Sequence, residues 1–247
     1  MNGTWTEEQI AGHACHVYDP PERNRRNYVA IYLHGVHLGR LSEMPEFCTA
    51  LDQHGIPVVC PVTQRSWWAD RICPEFDPEI TAEKYVLNKI LPFIKERYES
   101  EPPQIALFGT SMGGQGALRF SFKHPDLFPI VAAISPAIDF HNGWDDGDEV
   151  LPTMFRDKED ARQETAILYA GPFNRIRNLF FCCDPEDERW YESADRLTMK
   201  LSSMGIPYEC DMETSDGGHG PKYYRTMAPK VVEFLAKALD HERLRIV

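Results

Sequence analysis

The chain is short of positive charge. Of its 247 residues, 26 are Lys or Arg against 38 Asp or Glu, a net charge of −12 at pH 7. The basic residues form no long cluster, the densest patch being Arg23–Arg26. A surface this acidic repels a phosphate backbone, so no nucleic-acid partner is expected. Long hydrophobic runs are also missing: nothing approaches the roughly 20 apolar residues of a membrane span, and no membrane partner is expected. Met1–Glu8 has neither the basic start nor the apolar stretch of an export signal, which makes the cytoplasm the expected location. A disulfide framework is absent too. The seven cysteines (15, 48, 60, 73, 182, 183 and 210) are odd in number and scattered, several within apolar runs such as Val58-Val59-Cys60. Reduced, buried thiols fit that usage. There is no internal repeat and no low-complexity linker. The length fits one domain over residues 1–247, able to bury a core without metals or disulfides. Composition leaves the oligomeric state, monomer or homo-oligomer, open.

Apolar runs instead alternate with helical patterns. Tyr28–Leu33, Pro57–Cys60, Ile105–Phe108, Ile130–Ile134, Leu179–Cys183 and Tyr208–Met212 read as buried strands. Met44–Gln53, Thr81–Tyr98, the segment after Gly113, Trp190–Met204 and Val231–Leu239 read as helices. This alternation predicts an α/β fold, a mostly parallel central sheet with helices on both faces. Gly12–Tyr18 alternates weakly, as an antiparallel edge strand does. Pro229 is placed in the first turn of the final helix. Residues 135–175 lack clean periodicity and leave the carboxyl end of a strand, where such sheets carry ligand sites. That excursion is expected to wall or cover a cleft, with its acidic portions solvated.

The chemistry centres on Gly109-Thr-Ser-Met-Gly113, between the strand 105–108 and a small-residue helix start. A serine on so tight a strand-to-helix turn needs glycine neighbours, because strand and helix nearly touch there. The turn lifts the Ser111 hydroxyl into a cleft and aims the Met112 N–H at a developing oxyanion. A phosphate loop of the Walker type would require Gly-Lys-Ser/Thr, which is missing.

A serine needs a base, and the base an orienting acid. Of nine histidines, only His219 and His241 follow the last two strands, and His241 sits in a polar tail. His219, in the loop Gly217-Gly-His-Gly220, is the expected base. The acid should follow strand 179–183, where Asp187 is preferred and Asp184 remains the alternative. The second oxyanion donor is expected from the loop His34-Gly-Val-His-Leu-Gly39, with Gly35 permitting the bend that turns the Val36 N–H inward. His34 and His37 form an H-x-x-H pair, but with no helix and no third ligand a metal is not expected. No cofactor is expected either. Trp67, Trp68 and Trp144 are candidates to line the substrate pocket, with core packing as the competing reading.

Together Tyr32-Leu-His-Gly35, Gly109–Gly114, Pro185-Glu-Asp187 and Gly217-Gly-His219 resemble the α/β-hydrolase superfamily, and within it the esterase D, S-formylglutathione hydrolase and antigen 85 branch. Gln64–Asp70, Lys84–Tyr98 and Tyr223–Pro229 with Phe234-Leu235 are similar to further segments of that branch, so the likeness spans roughly residues 27–240. Its acid loop commonly reads Gly-x-x-Asp, which aligns Asp187 with the acid. S-Formylglutathione hydrolases carry Ser-Gly-Leu-Thr-Cys where this chain has His34-Gly-Val-His-Leu38, so a glutathione thioester is not the leading substrate. The resemblance implies a serine carboxylesterase acting on a small-molecule ester. With 247 residues and only one modest excursion no large lid is expected, and an open cleft favours short or bulky polar esters over long lipids. Thioester hydrolysis or acyl transfer on the same triad, and a non-catalytic binding homologue, are the rival readings.

Overall fold

A computed structural model of the chain describes residues 3–173 and 176–245. Eight strands run β1 (Thr4–Ile10), β2 (His13–Asp19), β3 (Val29–Leu33), β4 (Val58–Pro61), β5 (Ile105–Thr110), β6 (Ile130–Ile134), β7 (Asn178–Cys182) and β8 (Glu209–Asp211). They form one sheet in the order β1-β2-β4-β3-β5-β6-β7-β8. β3 through β8 pair in parallel, while β2 pairs antiparallel with both β1 and β4. The expected α/β architecture is therefore present. The weakly alternating segment is not the edge, however. It is the second strand, covered by a β1 that sequence patterning did not reveal. Ala11 and Gly12, both at positive φ, make the two-residue turn that joins them.

Successive strand residues bury themselves on opposite faces, as the pleat requires. Val29, Ile31 and Leu33 face one core layer, shared with the helix sequence α2 (Ala82–Tyr85), a π-type turn Val86–Ile90 and α3 (Leu91–Tyr98). α4 (Met112–Lys123) packs into the same layer. Ala30 and Tyr32 face the other layer, shared with α1 (Pro45–His54) and, later in the chain, a long terminal helix.

The excursion folds into a 3₁₀ turn (Phe140–Trp144) and the short helices α5 (Leu151–Met154), α6 (Lys158–Arg162) and α7 (Ala166–Tyr169); its residues 174 and 175 lie outside the described residues. It packs on α4. The Gln115 amide donates to the Glu164 carbonyl at 3.2 Å and accepts from the Ala166 N–H at 2.8 Å. Fully buried Arg119 pairs with Glu83 and Glu164, and Arg71 bonds Asp160 and Glu164, each at 3.1 Å.

After β7 comes α8 (Tyr191–Ser203), and the last element is α9 (Pro221–Arg243), one helix of 23 residues with Pro229 inside it. The final helix thus starts ten residues before Val231, with Pro221 rather than Pro229 in its first turn. A proline is tolerated mid-helix here because Pro229 and Arg225, whose carbonyl loses its N–H partner, both face solvent. Among the described residues, no helix is long and apolar enough to cross a membrane.

Candidate active site

Four loops at the carboxyl ends of parallel strands converge on Ser111. The β5–α4 turn that carries it is strained: Ser111 adopts φ 53° and ψ −117°, a conformation that costs about 1–3 kcal/mol and persists only where its surroundings enforce it. They do. The Ser111 N–H donates to the Ile134 carbonyl at 2.9 Å, and its own carbonyl accepts from Gln115 and Ala137 at 3.0 Å each. The glycines are required by contact. A Cβ on Gly113 would lie 1.8 Å from the Leu33 carbonyl oxygen, and one on Gly109 would lie 2.3 Å from that of Gly113.

The loop after β8 brings His219 to Ser111, with Nε2 3.1 Å from Ser111 Oγ. Its Nδ1 faces Asp187 Oδ2 at 2.7 Å. Asp187 is fully buried and satisfied. Oδ1 accepts from the Arg189 and Trp190 N–H groups at 3.3 and 3.1 Å, and the Cys183 thiol donates to Oδ2 at 3.6 Å. Asp184 has a different position. It accepts from the backbone N–H groups of Glu186 (2.8 Å), Asp216 (2.7 Å) and Gly218 (2.9 Å), tying the His219 loop to the end of β7. Burial alone would raise the Asp184 pKa, but these N–H groups outweigh it and hold the carboxyl below its ordinary range.

Two backbone amides adjoin the serine, that of Met112 directly after it and that of Val36, which lines the same cavity. Met112 is the first residue of α4, where an amide has no acceptor within the helix. On the other side the Gly35 carbonyl is held by His34 Nδ1–H at 2.9 Å and by the Leu38 N–H at 3.0 Å. In a trans peptide the N–H points opposite the carbonyl, so the Val36 N–H is turned away from those anchors. Gly35 permits this close passage: a Cβ there would be 3.3 Å from Ser111 Cβ.

His34 itself accepts from the Thr63 N–H through Nε2 at 3.1 Å, so both ring nitrogens are committed within the fold. Burial lowers its pKa from 6.5 to about 4, partly opposed by the bond to Gly35. The ring is therefore neutral near pH 7. Sequence reasoning weighed His34 only as half of a metal pair; its position directly after a buried strand was the available signal.

These groups open into a cavity of about 280 Å³, walled by Tyr32, Met44, Thr110 and Tyr224 and edged by Arg40 and Arg225. None of the three candidate tryptophans lines it. Trp68 is wholly buried beneath the site, its indole N–H donating to the His34 carbonyl at 3.1 Å. Trp67 stacks on Phe140 at 4.6 Å, and Trp144 packs against the same core layer. Among its described residues the excursion, expected to wall the cleft, contributes no lining residue and braces α4 instead. The wall is supplied by the segment between β3 and α1 and by the start of α9. Tyr224 is the functional candidate that the sequence did not single out. It stands five residues beyond His219 in the first turn of α9, and its hydroxyl lies 3.0 Å from His219 Nε2.

Solved structures share this architecture. A ferulic acid esterase superposes with a TM-score of 0.76 at 17% identity, covering 95% of this chain and 98% of that one. The S-formylglutathione hydrolase from Agrobacterium tumefaciens gives 0.77 at 19%, covering 96% of each chain. MPT51 from Mycobacterium tuberculosis gives 0.74 at 15%, covering 94% and 99%. At these identities the likeness concerns the fold. A comparison with curated proteins finds no match. The Esterase family model matches residues 13–238, most of the chain. The chain accordingly belongs to the Esterase family, carboxylic-ester hydrolases built on the α/β-hydrolase fold.

Proposed function

We propose that the protein is a serine carboxylesterase working through an acyl-enzyme on Ser111. The observation that carries this reading is the continuous hydrogen-bonded line from Asp187 through His219 to Ser111, ending in an open cavity. Ser111 Oγ attacks the acyl carbon as His219 Nε2 takes its proton. The Asp187 carboxylate keeps the Nδ1 proton in place and balances the imidazolium charge. The Val36 and Met112 N–H groups receive the tetrahedral oxyanion. The alcohol leaves with the proton from Nε2, and water enters by the same steps in reverse.

The cavity volume and its arginine-bearing rim favour short or bulky polar esters over long lipid chains. The same reading has one domain working without cofactor or metal on a small-molecule ester, in the cytoplasm, with no nucleic-acid or membrane partner. Seven free cysteines and the acidic surface support that setting. Its monomeric or homo-oligomeric state is set by a sizing measurement.

Release of phenol from phenyl acetate by the wild type, and its loss in Ser111→Ala of unchanged melting temperature, is the expected result. Turnover retained in Ser111→Ala would overturn the assignment. Adding methanol or a thiol during turnover separates hydrolysis from acyl transfer by the products formed.

A further inference from the structure

His219 Nε2 has more neighbours than a base in this position needs. Its Nδ1 faces the Asp187 carboxylate and so carries the ring proton, leaving Nε2 a single lone pair. Two hydroxyls compete for it, Ser111 Oγ at 3.1 Å and Tyr224 Oη at 3.0 Å. The Tyr224 ring stands edge-on to the imidazole, with centroids 5.7 Å apart. It is 7% exposed and lines the cavity. Burial, with Tyr32 and Asp187 nearby, raises its pKa above that of an ordinary phenol, so the hydroxyl keeps its proton. When Ser111 donates to Nε2, the phenolic proton is left to the lone pairs of Ser111 Oγ, with which Tyr224 also bonds, or to an oxygen that enters the cavity both residues line.

An oxygen that takes a proton from Nε2 must approach it to about 3 Å. The Tyr224 hydroxyl already stands at that distance, and Tyr224 and His219 both line the cavity that such an oxygen must enter. We propose that Tyr224 is a fourth catalytic residue, donating a hydrogen bond to the oxygen that departs beside His219 Nε2 and later to the water that replaces it. The inference rests on the serine-esterase reading above. In the first half-reaction the bond between Ser111 Oγ and the acyl carbon forms, and the bond from that carbon to the leaving oxygen breaks. The electron pair stays with the leaving oxygen, which takes its proton from Nε2. Tyr224 keeps its proton throughout and stabilises charge on the leaving oxygen as that bond breaks.

A donor aimed at the leaving oxygen matters in proportion to the charge developing there. The test is kcat/KM for wild type and Tyr224→Phe across acetates of rising leaving-group basicity, from 4-nitrophenyl through 4-methylphenyl to benzyl. All share one acyl-enzyme, so kcat/KM reports acylation alone. The loss on substitution should grow from under about 3-fold for 4-nitrophenyl acetate to about 10- to 100-fold for benzyl acetate. Tyr224→Met, a second apolar replacement in that wall, should show the same trend. A loss of equal size across the series, or no loss, overturns the assignment, because a purely structural tyrosine has no reason to sense the leaving group. Wild type inert toward all three esters would instead remove the underlying serine-esterase reading.

Discussion

Replacing His34 with phenylalanine should damage stability and turnover together, through separate causes. The ring lies under the loop after β3, donating to the Gly35 carbonyl at 2.9 Å and accepting from the Thr63 N–H at 3.1 Å. Phenylalanine fills the space but orphans a buried N–H, which costs about 1–3 kcal/mol near neutral pH. The titration adds a second signature. Burial holds the folded-state pKa of His34 near 4 against 6.5 for a free histidine. Between those values the unfolded chain binds a proton that the folded protein refuses. The stability contributed by neutral His34 is thus fully present above pH 6.5 and lost as pH falls through 6.5 toward 4. At about 1.4 kcal/mol per pH unit, that loss reaches about 3 kcal/mol. Urea denaturation of both proteins at intervals from neutral pH to the lower value should give curves that converge as the medium becomes acidic, since phenylalanine does not titrate. Turnover should fall by up to about 100-fold, because the Gly35–Val36 peptide loses one of its two anchors and the Val36 N–H swings off line. Parallel pH–stability curves, or wild-type kcat in His34→Phe, would refute the reasoning.

The remaining predictions separate the parts of the site. Asp187→Asn should cost about 10³–10⁴ in kcat by disturbing the His219 tautomer. Asp184→Asn should cost far less rate, yet lower the melting temperature by loosening the His219 loop; the reverse ranking in matched kinetics and melts would exchange their roles. Gly113→Ala, whose new Cβ would meet the Leu33 carbonyl at 1.8 Å, should destabilise by at least about 3 kcal/mol in urea titrations. A folded variant of wild-type stability would mean that the elbow is less tightly closed than described. Arg119→Met strips one cation from the buried Glu83 and Glu164 carboxylates, and chemical denaturation should show a loss of about 3 kcal/mol. The remaining partners of Glu83, namely Lys123 at 2.8 Å and His124 at 2.9 Å, keep that loss from being larger.

Much of this arrangement was legible in the chain because it is written locally. The run Ile105–Phe108, the glycines around Ser111 and the helix behind them state strand, turn and helix within about fifteen residues. Chain order then selected His219 once the strands were placed. β1 was missed because its residues, Thr4 to Ile10, are mostly exposed and polar, and its place is fixed by backbone pairing to β2 rather than by an apolar pattern. Pro229 misled because a proline's helix-breaking effect depends on whether the carbonyl it frees reaches water, a tertiary property. The tryptophans misled for a related reason. An indole in the loop after β4 can face a cavity or support a neighbouring loop from beneath, and only the packing of Trp68 against Gly116 and the His34 carbonyl decides between them. Tyr224 escaped notice because its contact with His219 exists only once α9 begins at Pro221 and turns that side chain back toward the loop.

The central claim, an activated Ser111, is tested most directly by intact mass after brief exposure to a fluorophosphonate, with Ser111→Ala beside it. A single adduct on the wild type alone, mapped to the peptide containing Ser111, is the predicted result. A folded wild type that stays unlabelled, or a Ser111→Ala variant that labels equally, would contradict the account.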